Sequence, residues 1–196
     1  MGFSKNWLEE IVSEWLSLKG YLVETNVPLS SKTGGGRGEA DVLGYKLDDD
    51  KLVLAHAEAT VQLTKSHADN VEMIKKKFDE NTNTIKEIAR ARVGNKAVGS
   101  VQHIFVSALV SSREEAQNLK NVLKTINIEF MEFPELIKNC MDAISNEGDK
   151  RVKQGLNKTN DYNQAIFAAL PDGLWFMKML GMMQRHRMLN ISEKPA

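Results

Sequence analysis

Hydrophobic residues recur at helical spacing at the start of the chain and then change to the alternation that is typical of strands. The helical positions are Trp7, Leu8, Ile11, Val12, Trp15, Leu16 and Leu18. They predict a first helix with Ser4 as its N-cap and Gly20 as its stop. A short strand from Tyr21 to about Val27 is predicted to follow.

The next segment predicts a β-hairpin whose two strands are joined by the acidic turn Asp48-Asp49-Asp50-Lys51. If Leu47 lies opposite Leu52, the antiparallel register places Asp41 opposite Glu58. Directly opposed residues have Cβ atoms about 5 Å apart. The hairpin therefore predicts that two carboxylates face each other.

The second hairpin strand has one face that is apolar throughout and one that turns polar toward its carboxyl end. The polar positions are His56, Glu58, Thr60 and Gln62. A charged Glu58 at the polar end of a buried strand must be paired, hydrogen-bonded or bound to a metal, because burying the charge alone is energetically costly. A divalent cation would relieve its repulsion with Asp41. The alternative is an exposed pair of carboxylates neutralised by Arg37 or a lysine.

Helices and strands alternate in the second half of the chain. The predicted elements are a helix with a lysine-rich exposed side over 66–83 that continues brokenly through Ile85 and Ile88, a strand over 104–110, a helix over 113–125, a strand over 128–133 and a helix over 134–145. This alternation favours an α/β fold with a mixed sheet, antiparallel in its first half and crossing over in its second. We expect an α/β core over 1–145, followed over 146–196 by a linker and a Met-rich helical extension. The extension is expected to pack on the core or to form a homodimer contact.

Composition narrows the functional classes. The chain has 26 Lys and Arg residues and 26 Asp and Glu residues. It therefore has no global positive field of the kind found in nonspecific nucleic-acid binders, and any contact with a polyanion must be local. The single cysteine, Cys140, excludes an intrachain disulfide and a cysteine-based zinc cluster. The chain shows no apolar signal region and no span long enough for a membrane, which favours a cytoplasmic protein.

The order of these elements and their acidic residues resembles the PD-(D/E)XK, restriction-endonuclease-like nucleases. The segment 36–44 is similar to the family's Gly-x-x-Asp portion, and 54–60 is similar to its Glu-x-Lys strand. The resemblance covers about residues 4–133 and implies a nuclease that uses Mg²⁺, or Mn²⁺, to cleave DNA. It implies Asp41 and Glu58 as metal ligands, with the backbone carbonyl of Ala59. Glu9 matches the acid of the family's first helix, with Glu10 as the alternative.

The chain departs from the family at Thr60, where the pattern has the lysine that orients water and stabilises charge at the phosphate. Gln62, Lys65 or a lysine of the following helix such as Lys75 can replace it, and His56 can act as a base. The residues expected to contact nucleic acid are Arg37, Lys65 and Lys75, the first of which can grip a phosphate bidentately. The missing lysine also favours an alternative, a catalytically inactive nuclease-like module that binds DNA or assembles with partners.

Overall fold

A five-stranded mixed sheet forms the centre of the first part of the chain. In the computed structural model, which describes residues 6–29, 38–49, 51–94, 97–153, 170, 173–186 and 188, the strand order is β1-β2-β3-β4-β5. The strands are β1 (Leu22–Pro28), β2 (Glu39–Asp48), β3 (Lys51–Gln62), β4 (Val98–Leu109) and β5 (Ile128–Glu132). The first three are antiparallel, whereas β3, β4 and β5 are parallel. The predicted α/β class and the change of direction within the sheet are confirmed.

Six helices accompany the strands in the described residues. They are α1 (Trp7–Leu18), α2 (His67–Asp79), α3 (Thr82–Val93), α4 (Arg113–Thr125), α5 (Phe133–Lys153) and α6 (Trp175–Arg185). Helices α2, α3 and α4 lie in the connections between the parallel strands, which need crossovers of about a dozen residues or more. The chain divides into two units, residues 1–133, which hold the sheet, and residues 134–196.

The hairpin register predicted from the acidic turn is confirmed. Leu47 lies opposite Leu52, and Leu43 lies opposite His56. The β2–β3 ladder ends at the pair of Val42 with Ala57. The residues that follow at this end of the hairpin are therefore released from the regular ladder, and their side chains can be directed by other contacts.

Several predicted boundaries need correction. Helix α1 is capped by Asn6, whose Oδ1 accepts a hydrogen bond from the Leu8 N–H at 3.1 Å, and not by Ser4, which lies outside the described residues. The helix expected over 66–83 ends at Asp79, and α3 is a separate helix. Strand β4 begins at Val98, six residues before its predicted start, because its first half is partly exposed and lacks the apolar run of its second half.

Two apolar clusters stabilise the sheet unit. One joins the hairpin to α3, and its largest members are Leu43, Tyr45, Leu52, Leu54 and Ile85. The other joins α2 and α4 to the parallel strands, and its largest members are Phe78, Phe105, Leu119, Leu123 and Phe130. Helix α2 is therefore anchored by buried aromatic and aliphatic side chains on the face of the sheet that carries His56.

The second unit contains α5 and α6. Helix α5 continues to Lys153, so residues 146–153 of the expected linker are helical, and residues 154–169 lie outside the described residues. The side chain of Cys140 is buried, in agreement with a small hydrophobic role. Among the described residues, no helix is both long enough and apolar enough to cross a membrane.

The close approach of Tyr21 to Gly44 gives a test of the packing at the start of the sheet. A Cβ atom at Gly44 would lie 2.9 Å from Cδ1 of Tyr21 and 3.2 Å from its Cβ, whereas a Cβ at Gly38 would meet nothing within 4 Å. We expect Gly44→Ala to lower the free energy of unfolding by about 1–3 kcal/mol through overpacking, although alanine suits a strand better than glycine. Gly38→Ala is the matched control. Equal unfolding free energies of the two variants in urea titrations would contradict this packing.

Candidate active site

Four charged side chains from four different elements meet at the carboxyl end of β3. They are Glu9 from α1, Asp41 from β2, Glu58 from β3 and Lys77 from α2. The charges of Asp41, Glu58 and Lys77 all act on Glu9, which places the acid of the first helix beside the hairpin. The structure therefore brings together three of the predicted site residues and adds a lysine that was not predicted individually.

Asp41 is held where the hairpin ladder ends. Its Oδ2 accepts a hydrogen bond from the backbone N–H of Ala59 at 2.8 Å. This hydrogen bond holds the Asp41 carboxylate against the backbone of β3 at Ala59, the residue after Glu58. The ladder stops at Val42 and Ala57, so Asp41 and Glu58 are not a register pair, but the two acids are close enough for the charge of Glu58 to raise the pKa of Asp41.

Glu58 is almost completely buried, with 1% of its surface exposed. One oxygen, Oε1, lies 2.8 Å from Nε2 of His56, and the other, Oε2, forms an ion pair with Nζ of Lys77. An ionised carboxylate can only accept hydrogen bonds, so the Nε2–H group of His56 is the donor in this contact. Both oxygens of the buried acid are therefore partnered.

His56 is locked in place beneath the acid. It has no exposed surface, and its ring meets Phe78 edgewise at 4.7 Å between centroids. Neighbouring His103 lies 5.9 Å away, and burial together with the charge of His56 lowers the pKa of His103 to about 4. Nε2 of His56 is occupied by its hydrogen bond to Glu58. This agrees better with a structural role for His56 than with the role of a base.

Lys77 lies on the side of α2 from which its side chain can reach Glu58. On α2 it lies three residues after Ile74 and one before Phe78, both buried, so its side chain emerges at the edge of the face that packs on the sheet. The Nδ2 of Asn81 donates to the carbonyl of Lys77 at 2.7 Å and fixes the end of the helix there. The side chain of Lys77 is 41% exposed, so its ammonium lies between the buried Glu58 and the protein surface.

The lysines that were predicted as replacements do not reach the acids. Lys75 is rotated about 200° from Lys77 on the helix and is exposed, with Nζ 4.0 Å from Asp79. Lys65 is exposed between β3 and α2. A count along α2 from its apolar positions would have selected Lys77, because Val71, Ile74 and Phe78 mark the inward face.

Thr60 and Gln62 do not replace the motif lysine. The hydroxyl of Thr60 donates to the carbonyl of Gln62 at 3.3 Å, and the side chain of Gln62 is exposed. Neither contributes charge to the cluster. The predicted contact residue Arg37 lies outside the described residues.

The electrostatics of the cluster follow from burial and crowding. Burial and then the charge of Asp41 raise the pKa of Glu9 to about 7. Burial and then the charge of Glu58 raise the pKa of Asp41 to about 6. Burial also disfavours the ionised form of Glu58, but the His56 hydrogen bond and the Lys77 charge outweigh it and lower its pKa. Burial disfavours the ammonium of Lys77, yet the three acids raise its pKa.

The donor set suits a hard divalent cation. Among the residues that the structure describes, no three His, Cys, Asp or Glu side chains converge closely enough to hold a metal by themselves. Mg²⁺ does not need such a cage, because it keeps several waters and binds through one or two carboxylates. Asp41 and Glu58 are two such carboxylates, and burial followed by the charge of a neighbouring acid raises the pKa values of Asp41 and Glu9.

Comparisons with known proteins add little. No family model and no curated protein matches the chain. A match among solved structures is the crystal structure of the protein of unknown function AF1548, at 10% identity and a TM-score of 0.36, covering 91% of this chain and 97% of that one. A likeness at this level supports no statement about fold or function.

The raised pKa of Asp41 predicts that this residue destabilises the folded chain at neutral pH. The unfolded chain releases the proton at a lower pH than the folded chain, so stability falls as pH rises between about 4 and 6. Asp41→Asn removes this effect and keeps an acceptor for the Ala59 N–H. We expect it to raise the free energy of unfolding by about 1–2 kcal/mol above pH 6 and to change it little below pH 4.

Urea titrations in the presence of EDTA at both pH values measure this difference. Glu39→Gln removes an exposed carboxylate from the same end of β2 and serves as the control. A stability gain from Asp41→Asn that is the same at pH 4 and at neutral pH, or a gain of equal size in the control, would contradict the electrostatic account.

Proposed function

We propose that this chain is a metal-dependent nuclease that uses Mg²⁺, or Mn²⁺, to hydrolyse phosphodiester bonds in DNA. The observation that carries the proposal is the ion pair between Lys77 and the buried Glu58. It supplies a lysine to the acids that resemble the PD-(D/E)XK site, from the helix that follows β3 instead of from Thr60. The departure that most weakened the resemblance is thereby compensated.

The carboxylates of Asp41 and Glu58 would hold the metal, with the backbone carbonyl of Ala59 as a further ligand. When bound, the ion polarises the scissile phosphate and lowers the pKa of a coordinated water. Lys77 has a raised pKa and is therefore protonated at neutral pH, so its ammonium can stabilise negative charge on a phosphate oxygen and orient a water. Glu9, with a pKa of about 7, can accept a proton on its carboxylate near neutral pH.

The surroundings of the cluster favour a polyanion. Strands β3 and β4 end toward the side of the sheet where α2 and α4 begin. The positive ends of these helix dipoles lie on that side, about 15 Å along α2 from Lys77, which is in the last turn of the helix. The exposed Lys65, in the connection from β3 to α2, is proposed as a DNA contact, and Lys75 as a second one. Because the chain as a whole is neutral, this local field has to attract the substrate.

The alternative function is a DNA-binding or assembly module without catalysis. Thr60 in place of lysine is the observation that favours it. Trp175 and Met182 of α6 are exposed, which is compatible with a homodimer contact through the C-terminal region. DNA binding with steep salt dependence and no cleavage under any metal condition would select this alternative.

Removing Lys77 gives the sharpest test of catalysis. We expect Lys77→Met to lower the rate of DNA cleavage with Mg²⁺ or Mn²⁺ by about 100- to 1000-fold, the effect of losing one preorganised charge-stabilising group. Lys75→Met, two residues away on the exposed side of the same helix, should leave the rate nearly unchanged. Initial rates on plasmid and single-stranded substrates measure both variants.

Thr60→Lys in the Lys77→Met background provides a rescue test, since it returns a lysine to the strand position. We expect it to recover part of the lost rate. Cleavage that survives Lys77→Met and also Asp41→Ala would show that the activity does not arise at this cluster.

A further inference from the structure

An exposed tryptophan stands at the same edge of the sheet as the carboxylate cluster. Trp7, in the first turn of α1, is 46% exposed, whereas Trp15 on the same helix is 3% exposed and packs in the core. The exposed part of the Trp7 ring is therefore available to contact a ligand at this edge.

The orientation of α1 places Trp7 and the acid Glu9 on opposite sides of the helix. They are two residues apart, which corresponds to about 200° of rotation and about 3 Å of rise. Glu9 faces the cluster, as its electrostatic coupling to Asp41 and Glu58 shows. Trp7 faces Phe133 at the end of β5, with ring centroids 5.3 Å apart and ring planes at 89°. The first turn of α1 thus bridges the acids and an aromatic pair.

The sheet supplies a distance between the two features. Thr60 of β3 lies beside Ser107 of β4, which lies beside Glu132 of β5, the residue before Phe133. Two strand spacings amount to about 10 Å. A DNA strand with one phosphate at the cluster therefore has a nearby nucleotide within reach of the aromatic pair.

We infer that Trp7, supported edgewise by Phe133, is a stacking platform for an unpaired base, and that the substrate is single-stranded DNA. This inference rests on the proposed nuclease function and names its substrate class. Bases in a duplex are stacked on each other and cannot present a face to Trp7, whereas a single strand can.

The test compares binding of single-stranded and duplex DNA by otherwise identical proteins. Asp41→Asn is used as the background, in EDTA at fixed salt, so that no cleavage interferes. Fluorescence anisotropy is measured with a short labelled oligothymidine and with the same strand paired to its complement. Trp7→Ala should weaken binding of the single strand by about 5- to 150-fold, the range that corresponds to loss of one base–aromatic stack. Duplex binding should change less than twofold.

Two further variants make the result specific. Trp7→Phe keeps an aromatic face and should retain more single-strand affinity than Trp7→Ala. Trp175→Ala removes a tryptophan of similar exposure, 55%, from α6 and should leave the ratio of single-strand to duplex affinity unchanged. Thermal unfolding of each variant establishes that the fold is intact.

Equal losses on single-stranded and duplex DNA, or no loss on either, would overturn the inference. Cleavage that requires Asp41 and Lys77 but is insensitive to Trp7 would overturn the stacking role while leaving the nuclease. Absence of DNA binding by the wild-type chain would overturn both.

Discussion

The structure of the site depends on the partnering of one buried carboxylate. Glu58 cannot remain ionised in the sheet without compensation, and it receives a hydrogen bond from His56 on one oxygen and the charge of Lys77 on the other. The first partner is rigid, because His56 is enclosed by strands and by Phe78. The second, Lys77, is partly exposed. The acid is therefore buried and held on both oxygens, and its link to the protein surface is the Lys77 side chain.

The cluster is electrostatically unfavourable to the fold. Burial and mutual repulsion raise the pKa values of Glu9 to about 7 and of Asp41 to about 6, and a single lysine offsets only part of this excess. Residues that destabilise a fold in this way are typical of functional sites, because a purely structural role would favour neutral or paired side chains. The stability that offsets this cost comes from the two buried apolar clusters that hold α2 and the hairpin on the sheet.

The local parts of the fold could be predicted well from the sequence, since they depend on residues that are close along the chain. The hairpin register follows from one short acidic turn, and α4 follows from its apolar repeat. The proximity of Asp41 and Glu58 follows from that register, although the ladder itself ends one pair earlier. Boundaries were less predictable where exposure weakens the pattern, as in the first half of β4, or where capping residues compete, as at Asn6.

The identity of the lysine could not be predicted with the same ease, because it depends on how α2 crosses the sheet. Sequence spacing suggested Lys75 among several candidates, yet only the packing of Ile74 and Phe78 turns Lys77 toward Glu58. The helical repeat predicts Trp7 as one more apolar position of α1. Its exposure follows from its place at the margin of the helix face beside Phe133, which a helical repeat alone does not reveal.

The claim that these acids form a divalent cation site is tested most directly by calorimetric titration of Mg²⁺ and Mn²⁺ into the wild-type chain and into Asp41→Asn. The account predicts one saturable site in the wild type that is lost or greatly weakened in the variant. Binding should release protons near pH 6, because the raised pKa values of Asp41 and Glu9 leave these acids partly protonated there. Absence of saturable binding at millimolar metal, or identical binding by Asp41→Asn, would contradict it.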